Sequence, residues 1–413
     1  MSQTTVDRGT EREKEAEVQS EESQPKRSPF ERMGLTGTAL SVANWLSVIA
    51  AIYVLITAVN VIGSGFKIAT GDQAEDLFSF ASNPIVGLMI GVVATALTQS
   101  SSTTTSVTVG MVAGGMPLDV AVPIIMGANL GTTLTNTLVS LGMVRDKEQF
   151  RRGFAAATVH DFFNLLAVLI FLPLEMIFGL LQSVATAVAD ATVGSDVTII
   201  NAIFEGIGAV VSGATEPLAN GIEYVLGFLP ETWQGVVMIL VAIGLILLVI
   251  NFIGKMLNIL MVGKAKQVLH TAIGRGPVTS IASGTVITVM VQSSSTTTSL
   301  VVPLAGSGVF TLKQIYPFTL GANIGTTITA LVAAFAFEGV EAAAALTAAL
   351  VHLSFNLFAT IVIYGLPFLR NLPPRGSTWL ANLAAERKIY AVIWAVGVFL
   401  VLPLILIFAT SAF

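Results

Sequence analysis

Cysteine is absent from the 413 residues, which excludes disulfides, thiolate metal sites and thiol nucleophiles. Charge is scarce: 11% of the residues are charged against 54% hydrophobic, and the mean hydropathy is +0.82. That is too little charge to coat a soluble surface, so the chain reads as a polytopic membrane protein in a lipid bilayer. No short apolar stretch with a basic flank and a small-residue cleavage site opens the chain, so no cleaved signal peptide is expected. There is no G-x-S-x-G elbow for a serine hydrolase, and nothing points to nucleic acid. Lys and Arg are absent from Ile68 to Val144 and from Gly153 to Gly254, and Lys313 is the only one between Gly276 and Leu369.

What is present is one polar octapeptide, QSSSTTTS, found at Gln99 to Ser106 and again at Gln292 to Ser299. A lone Ser/Thr run is most often a flexible linker. Two identical copies inside apolar flanks are not. Residues 1–34 form a charged, cytosolic tail expected to be disordered, and 35–82 hold a first span, Leu40 to Gly63, and an acidic turn with Asp72, Glu75 and Asp76. In 83–180, the apolar arm Pro84 to Leu97 is about 21 Å long as a helix, too short for a hydrocarbon layer of about 30 Å. Eight hydrogen-bonding side chains cannot face lipid, so the octapeptide is placed at the tip of a re-entrant hairpin or on a polar cavity. GANLGTT at Gly127 to Thr133 then predicts a broken helix.

Residues 181–230 carry acids but no Lys or Arg, and 231–275 supply a connecting span and Lys255, Lys264, Lys266 and Arg275. By the positive-inside rule, the former lie outside and the latter in the cytoplasm. In 276–369 the pattern recurs, with a short arm, the second octapeptide, a second broken helix at GANIGTT (Gly321 to Thr327) and VHLSFNL matching VHDFFNL. The three offsets are 193, 194 and 192 residues, a genuine duplication. Charge placement makes the repeats inverted, and 370–413 add a basic turn and a C-terminal helix. The expected fold is therefore all-α, with two inverted-topology repeats, each holding a re-entrant hairpin and a broken helix.

Inverted repeats with interrupted helices point to a secondary transporter with its site near the midplane. Serine and threonine hydroxyls, amides and helix N-termini suit a small oxyanion. An anion buried without a basic partner is costly. Cations bound beside it remove that cost, so cation symport is expected. Asp161 faces Leu353 across the repeats, so packing symmetry does not explain it, and an intramembrane acid marks function.

The paired QSSS segments, the GAN(L/I)GTT segments and FRRGFAAATVHDFFN at Phe150 to Asn164 resemble the type II sodium-phosphate cotransporters. The resemblance covers Pro84 to Pro173 and Pro277 to Pro367. It implies sodium-driven uptake of inorganic phosphate without an organic cofactor. Phosphate would be held by Gln99, Ser100, Ser101, Ser102, Thr103, Gln292, Ser293, Ser294, Ser295 and Thr296. Sodium would be held among Asn129, Thr132, Thr133, Thr137, Asp146, Asp161, Asn164, Asn323, Thr326, Thr327 and Asn356. Ala155, Ala157 and Asp161 match the electrogenic members, implying divalent phosphate, whereas Met143 stands where animal members have glutamine. With no Cys to reproduce the animal proteins' bridged outer loop, a bacterial inner-membrane homologue is expected. Another oxyanion, or an anion channel of the same fold, is the alternative. Charge counting puts the C-terminus outside and the resemblance puts both termini inside; a homodimer is an open arrangement.

Overall fold

A computed structural model describes residues 28–71, 83–193, 199–273 and 275–411, and among them all regular structure is helical. Most of the expected tail and the acidic turn lie outside the described residues. The first half comprises α1 (Pro29–Arg32), α2 (Gly37–Thr70), α3 (Pro84–Thr98), α4 (Ser101–Ala113), α5 (Leu118–Leu130), α6 (Thr133–Leu141) and α7 (Lys147–Phe178). There follow α8 (Leu180–Val193), α9 (Ile199–Leu226) and α10 (Glu231–Ala272). The second half holds α11 (Pro277–Val291), α12 (Ser294–Gly306), α13 (Leu312–Ala334) and α14 (Gly339–Ala359), the last running into a π-helical turn, Thr360–Tyr364. The chain closes with α15 (Pro367–Arg370), α16 (Leu372–Glu386), α17 (Ile389–Val392), a π-helical stretch Ile393–Val401 and α18 (Leu402–Ser411).

Among the described residues, seven helical segments are long and apolar enough to cross a membrane: Gly37–Thr70, Leu118–Leu141, Lys147–Phe178, Glu231–Leu257, Leu312–Ala334, Gly339–Tyr364 and Ile389–Thr410. The short apolar helices α3 and α11 are not among them. Three boundaries differ from the sequence reading. Only Gln99 and Ser100 form the turn after α3, because the remaining hydroxyls of the octapeptide can sit inside a helix by bonding back to carbonyls one turn earlier. Thus Thr105 donates to Ser101 O at 2.9 Å, and the next turn repeats this with Thr108 donating to Thr104 O at 2.8 Å. The stretch expected as a basic turn at 370–388 contains α16, whose Leu380, Ala381 and Ala384 pack on Phe150 and Phe154 of α7.

The third difference concerns the broken helices. The first breaks as expected between Leu130 and Thr133, but GANIGTT lies inside the unbroken α13. In the first half, the Asn164 amide donates to Asn129 O at 2.9 Å and the Thr132 hydroxyl to the same oxygen at 3.2 Å, occupying the carbonyl the next helical turn would use. In the second half, the matching amide of Asn356 turns back to His352 O in its own helix at 2.9 Å, and α13 continues.

The glycines serve a packing role common to both halves. A Cβ on Gly127 would collide with the Leu88 carbonyl and one on Gly91 with that of Ile124, so α3 and α5 touch backbone to backbone. Gly321 against Ile281 and Gly284 against Phe318 do the same for α11 and α13. The main apolar cluster, including Val59, Ile62, Val109, Ile125, Phe163 and Phe355, fills the centre of the bundle around these pairs. Gly127→Val or Gly321→Val is expected to cost about 1–3 kcal/mol of stability by overpacking, lowering the thermal midpoint in detergent. Gly244→Ala, which meets nothing within 4 Å, should leave the midpoint unchanged or raise it.

Candidate substrate and cation site

Gln99 and Gln292 are, among the described residues, the two non-glycine residues with positive φ, 55° and 53°. Such a backbone normally selects glycine or asparagine. Here the side chain compensates. Gln99 Nε2 donates to Ala96 O at 2.5 Å, satisfying a carbonyl left behind by the end of α3, and Thr135 donates to its Oε1 at 2.9 Å. Gln292 repeats the arrangement with Val289 O at 2.8 Å and Thr329 at 3.0 Å. Each glutamine thus clamps a tip to the neighbouring helix.

After each glutamine a serine caps the next helix. Ser100 Oγ accepts from Thr103 N at 3.1 Å, and Ser293 Oγ from Thr296 N at 3.2 Å. Any helix start leaves its first N–H groups without intrahelical partners; here those belong to Ser101, Ser102, Ser294 and Ser295. All ten residues expected to hold an oxyanion, Gln99 to Thr103 and Gln292 to Thr296, line a single cavity of about 1200 Å³. Ser101 to Thr103, Ser294 and Ser295 are largely buried in its wall. Arg32 and Lys255 also line it, which sequence reasoning missed: the charge-poor windows ended short of α1 and of the lower part of α10.

The four expected asparagines meet between the halves. Asn129 Nδ2 donates to Asn356 Oδ1 at 2.9 Å, and Asn323 Nδ2 to Asn164 Oδ1 at 2.8 Å, so each GAN segment bonds to the other half's FN pair. His352 Nε2 lies 3.0 Å from Asn129 Oδ1. A further cross-half contact was not foreseen, the Asn136 amide donating to Thr298 Oγ1 at 2.9 Å. An amide at membrane depth, beside the GTT threonines, was its only signal. Thr132, Thr326 and Thr327 spend their hydroxyls on carbonyls of their own segments, Thr133 begins α6, and Thr137 is buried with its Oγ1 lacking a partner among the described residues.

Asp161 is almost fully buried. Trp394 Nε1 donates to its Oδ2 at 3.0 Å, and His160 Nδ1 lies 3.0 Å from its Oδ1. Trp394, in the C-terminal π-helical stretch, also stacks on Phe162, with ring centroids 4.8 Å apart. Nothing in the local sequence links it to Asp161, 233 residues earlier. Asp146 is not brought to this group. It caps the exposed start of α7, eighteen residues before Asn164, which is about 27 Å along a helix. The Gln149 backbone N–H, with that of Glu148, holds its carboxyl below the usual carboxylate range. That capping contribution is therefore present above the ordinary Asp range and is lost as pH falls through the lowered value. Met143 packs its thioether over Gly153 and Gly306.

Seven membrane-length helices among the described residues, together with a hydroxyl- and amide-lined cavity, define a polytopic helical membrane protein with a polar site. The chain belongs to the Na+/Pi-cotransporter family, whose sequence profile matches residues 54–213 and 245–366. It is 33% identical to sodium-dependent phosphate transport protein 2A of Rattus norvegicus over 452 residues, covering 94% of this chain and 70% of that protein. It is 32% identical to sodium-dependent phosphate transport protein 2B of Homo sapiens over 437 residues, 86% of this chain and 63% of that protein. The chain thus spans about two thirds of the length of these relatives. No solved structure matches it.

Asn129→Ala strands both His352 Nε2 and Asn356 Oδ1, at a cost of about 1–3 kcal/mol. In a double-mutant cycle with Asn356→Ala, read by thermal unfolding in detergent, the two losses should fail to add by about 0.5 kcal/mol or more. Additive losses would show that the pair carries no coupling.

Proposed function

We propose that this chain is a sodium-coupled symporter of inorganic phosphate, taking up the dianion together with sodium ions. The observation that carries this reading is the convergence of both QSSST tips on one cavity. Two helix N-termini there offer unpaired backbone N–H groups and a ring of hydroxyls, the donor set an oxyanion needs. The sodium-dependent phosphate transport named for the relatives agrees with it. In this reading α3–α4 and α11–α12 are re-entrant hairpins of two inverted repeats, and the residue blocks 83–180 and 276–369 are those repeats. Gln99 and Gln292 position the tips, since both ends of each amide are already engaged. The serines bind.

Sodium ligation fits the hydroxyl, amide and backbone oxygens around the asparagine cluster, which are hard donors suited to a small cation. Asp161, buried and one helical turn before Asn164, supplies the negative charge that makes the cycle electrogenic. Asp146, exposed and far along α7, contributes as a helix cap. In this reading the basic residues at the start of α7 and the end of α10 support cytoplasmic turns and a cytoplasmic N-terminus, in a bacterial inner membrane.

Purified protein in proteoliposomes should accumulate radiolabelled phosphate under an inward sodium gradient but not a potassium gradient, and faster with the interior negative. Sodium-independent flux would make it a channel; no flux with phosphate but flux with sulfate would change the substrate. Ser101→Trp or Ser294→Trp should abolish uptake while membrane insertion is unimpaired. Asp161→Gly should lower the charge moved per phosphate, and an unchanged current-to-flux ratio would remove Asp161 from the cation path.

A further inference from the structure

The cavity that unites the two tips has a polar deep end without charge and a cationic mouth. Its tip residues are glutamine, serine and threonine, and among the described residues no Asp or Glu lines it. Among the described residues Arg32, at the end of α1, and Lys255, one turn beyond Asn251 on α10, are the charged groups on its wall, and both are exposed. Three other basic side chains of the described residues are neutralised by carboxylates: Lys67 by Glu341 at 3.2 Å, Lys147 by Glu386 at 2.6 Å and Arg151 by Glu148 at 2.8 Å. Arg32 and Lys255 form no ion pair among the described residues.

We propose that Arg32 and Lys255 form a cationic antechamber, a second oxyanion subsite that receives phosphate between the tips and the cytoplasm. This rests on the phosphate-transport reading. A charge-lined cleft raises the local concentration of a counter-ion. Placing the cations at the mouth rather than beside the serines attracts the dianion without neutralising it at the tips, where the coupling cations keep that task. The positive-inside rule assigns the mouth to the cytoplasmic face, so the antechamber acts on one face of the membrane only. It sets the apparent affinity for phosphate there and speeds its departure from, or return to, the tips.

The test uses membrane vesicles of defined orientation, with radiolabelled phosphate presented to one face at a time. Sodium is held constant while ionic strength is varied with choline chloride. For the wild type, the cytoplasmic-face KM should rise with ionic strength. Arg32→Gln combined with Lys255→Gln should raise that KM about threefold to tenfold at low ionic strength, flatten its salt dependence, and move the outer-face KM less than twofold. Arg32→Lys with Lys255→Arg should restore the wild-type salt dependence, and Lys67→Gln, which removes one charge elsewhere, should leave both faces unchanged. A wild-type cytoplasmic KM in the double Gln variant, or an equal rise on both faces, would overturn the antechamber while leaving the transporter intact. Absence of phosphate movement by the wild type in either orientation would remove the transport reading itself and the antechamber with it.

Discussion

At Gln99 and Gln292 an apolar helix too short to cross a membrane stops at the wall of the cavity, and the carbonyls it leaves behind need donors. A polar backbone group stranded in an apolar medium costs several kcal/mol, so a mid-bundle helix end exists only where the chain supplies its own donors. The glutamine amide donates to a carbonyl at the end of the outgoing helix, and the oxygen of the following serine accepts from an N–H at the start of the incoming one. Much else follows from that constraint. Thr135 and Thr329 hold the glutamine oxygens, Ser100 and Ser293 each cap one N–H of α4 and α12, and glycines let α3 lie directly on α5 and α11 on α13, which carries Thr329.

The two halves solve one problem with unequal means. Both place an asparagine in the GAN segment and bond it to the other half, yet only in the first half does the partner amide also seize a main-chain carbonyl and interrupt the helix. Asp161 sharpens the inequality. Its counterpart is Leu353, and the tryptophan that holds it comes from the C-terminal stretch, outside either sequence repeat. A sequence duplication thus carries a buried carboxylate in one copy only.

The helical class, the short arms and the position of both tips were legible because each depends on local signals: length against bilayer thickness, proline and asparagine at a helix start, and a hydroxyl run after an apolar one. The convergence of the tips was legible from the duplication. What escaped was set by tertiary choice. GANLGTT and GANIGTT are nearly the same string, yet one breaks and the other does not, and Asn164 bonds across to Asn129 O where Asn356 bonds within its own helix. Trp394 and Asn136 meet partners 233 and 162 residues away, a separation no periodicity reports. Arg32 and Lys255 were visible as charges but not as neighbours of the tips, because what brings them together is the path of α1 and α10.

The buried contacts at the seam between the halves centre on carboxamides, Asn129 with Asn356 and Asn164 with Asn323. Carboxamides do not titrate and carry no net charge, so parting the seam uncovers dipoles, each costing about 1–3 kcal/mol, where a seam of buried ion pairs would uncover ions at several kcal/mol apiece. A join of this kind holds register at a modest cost per bond, and the amide pairs themselves gain and lose no proton, His352 on Asn129 Oδ1 being a titratable group beside them.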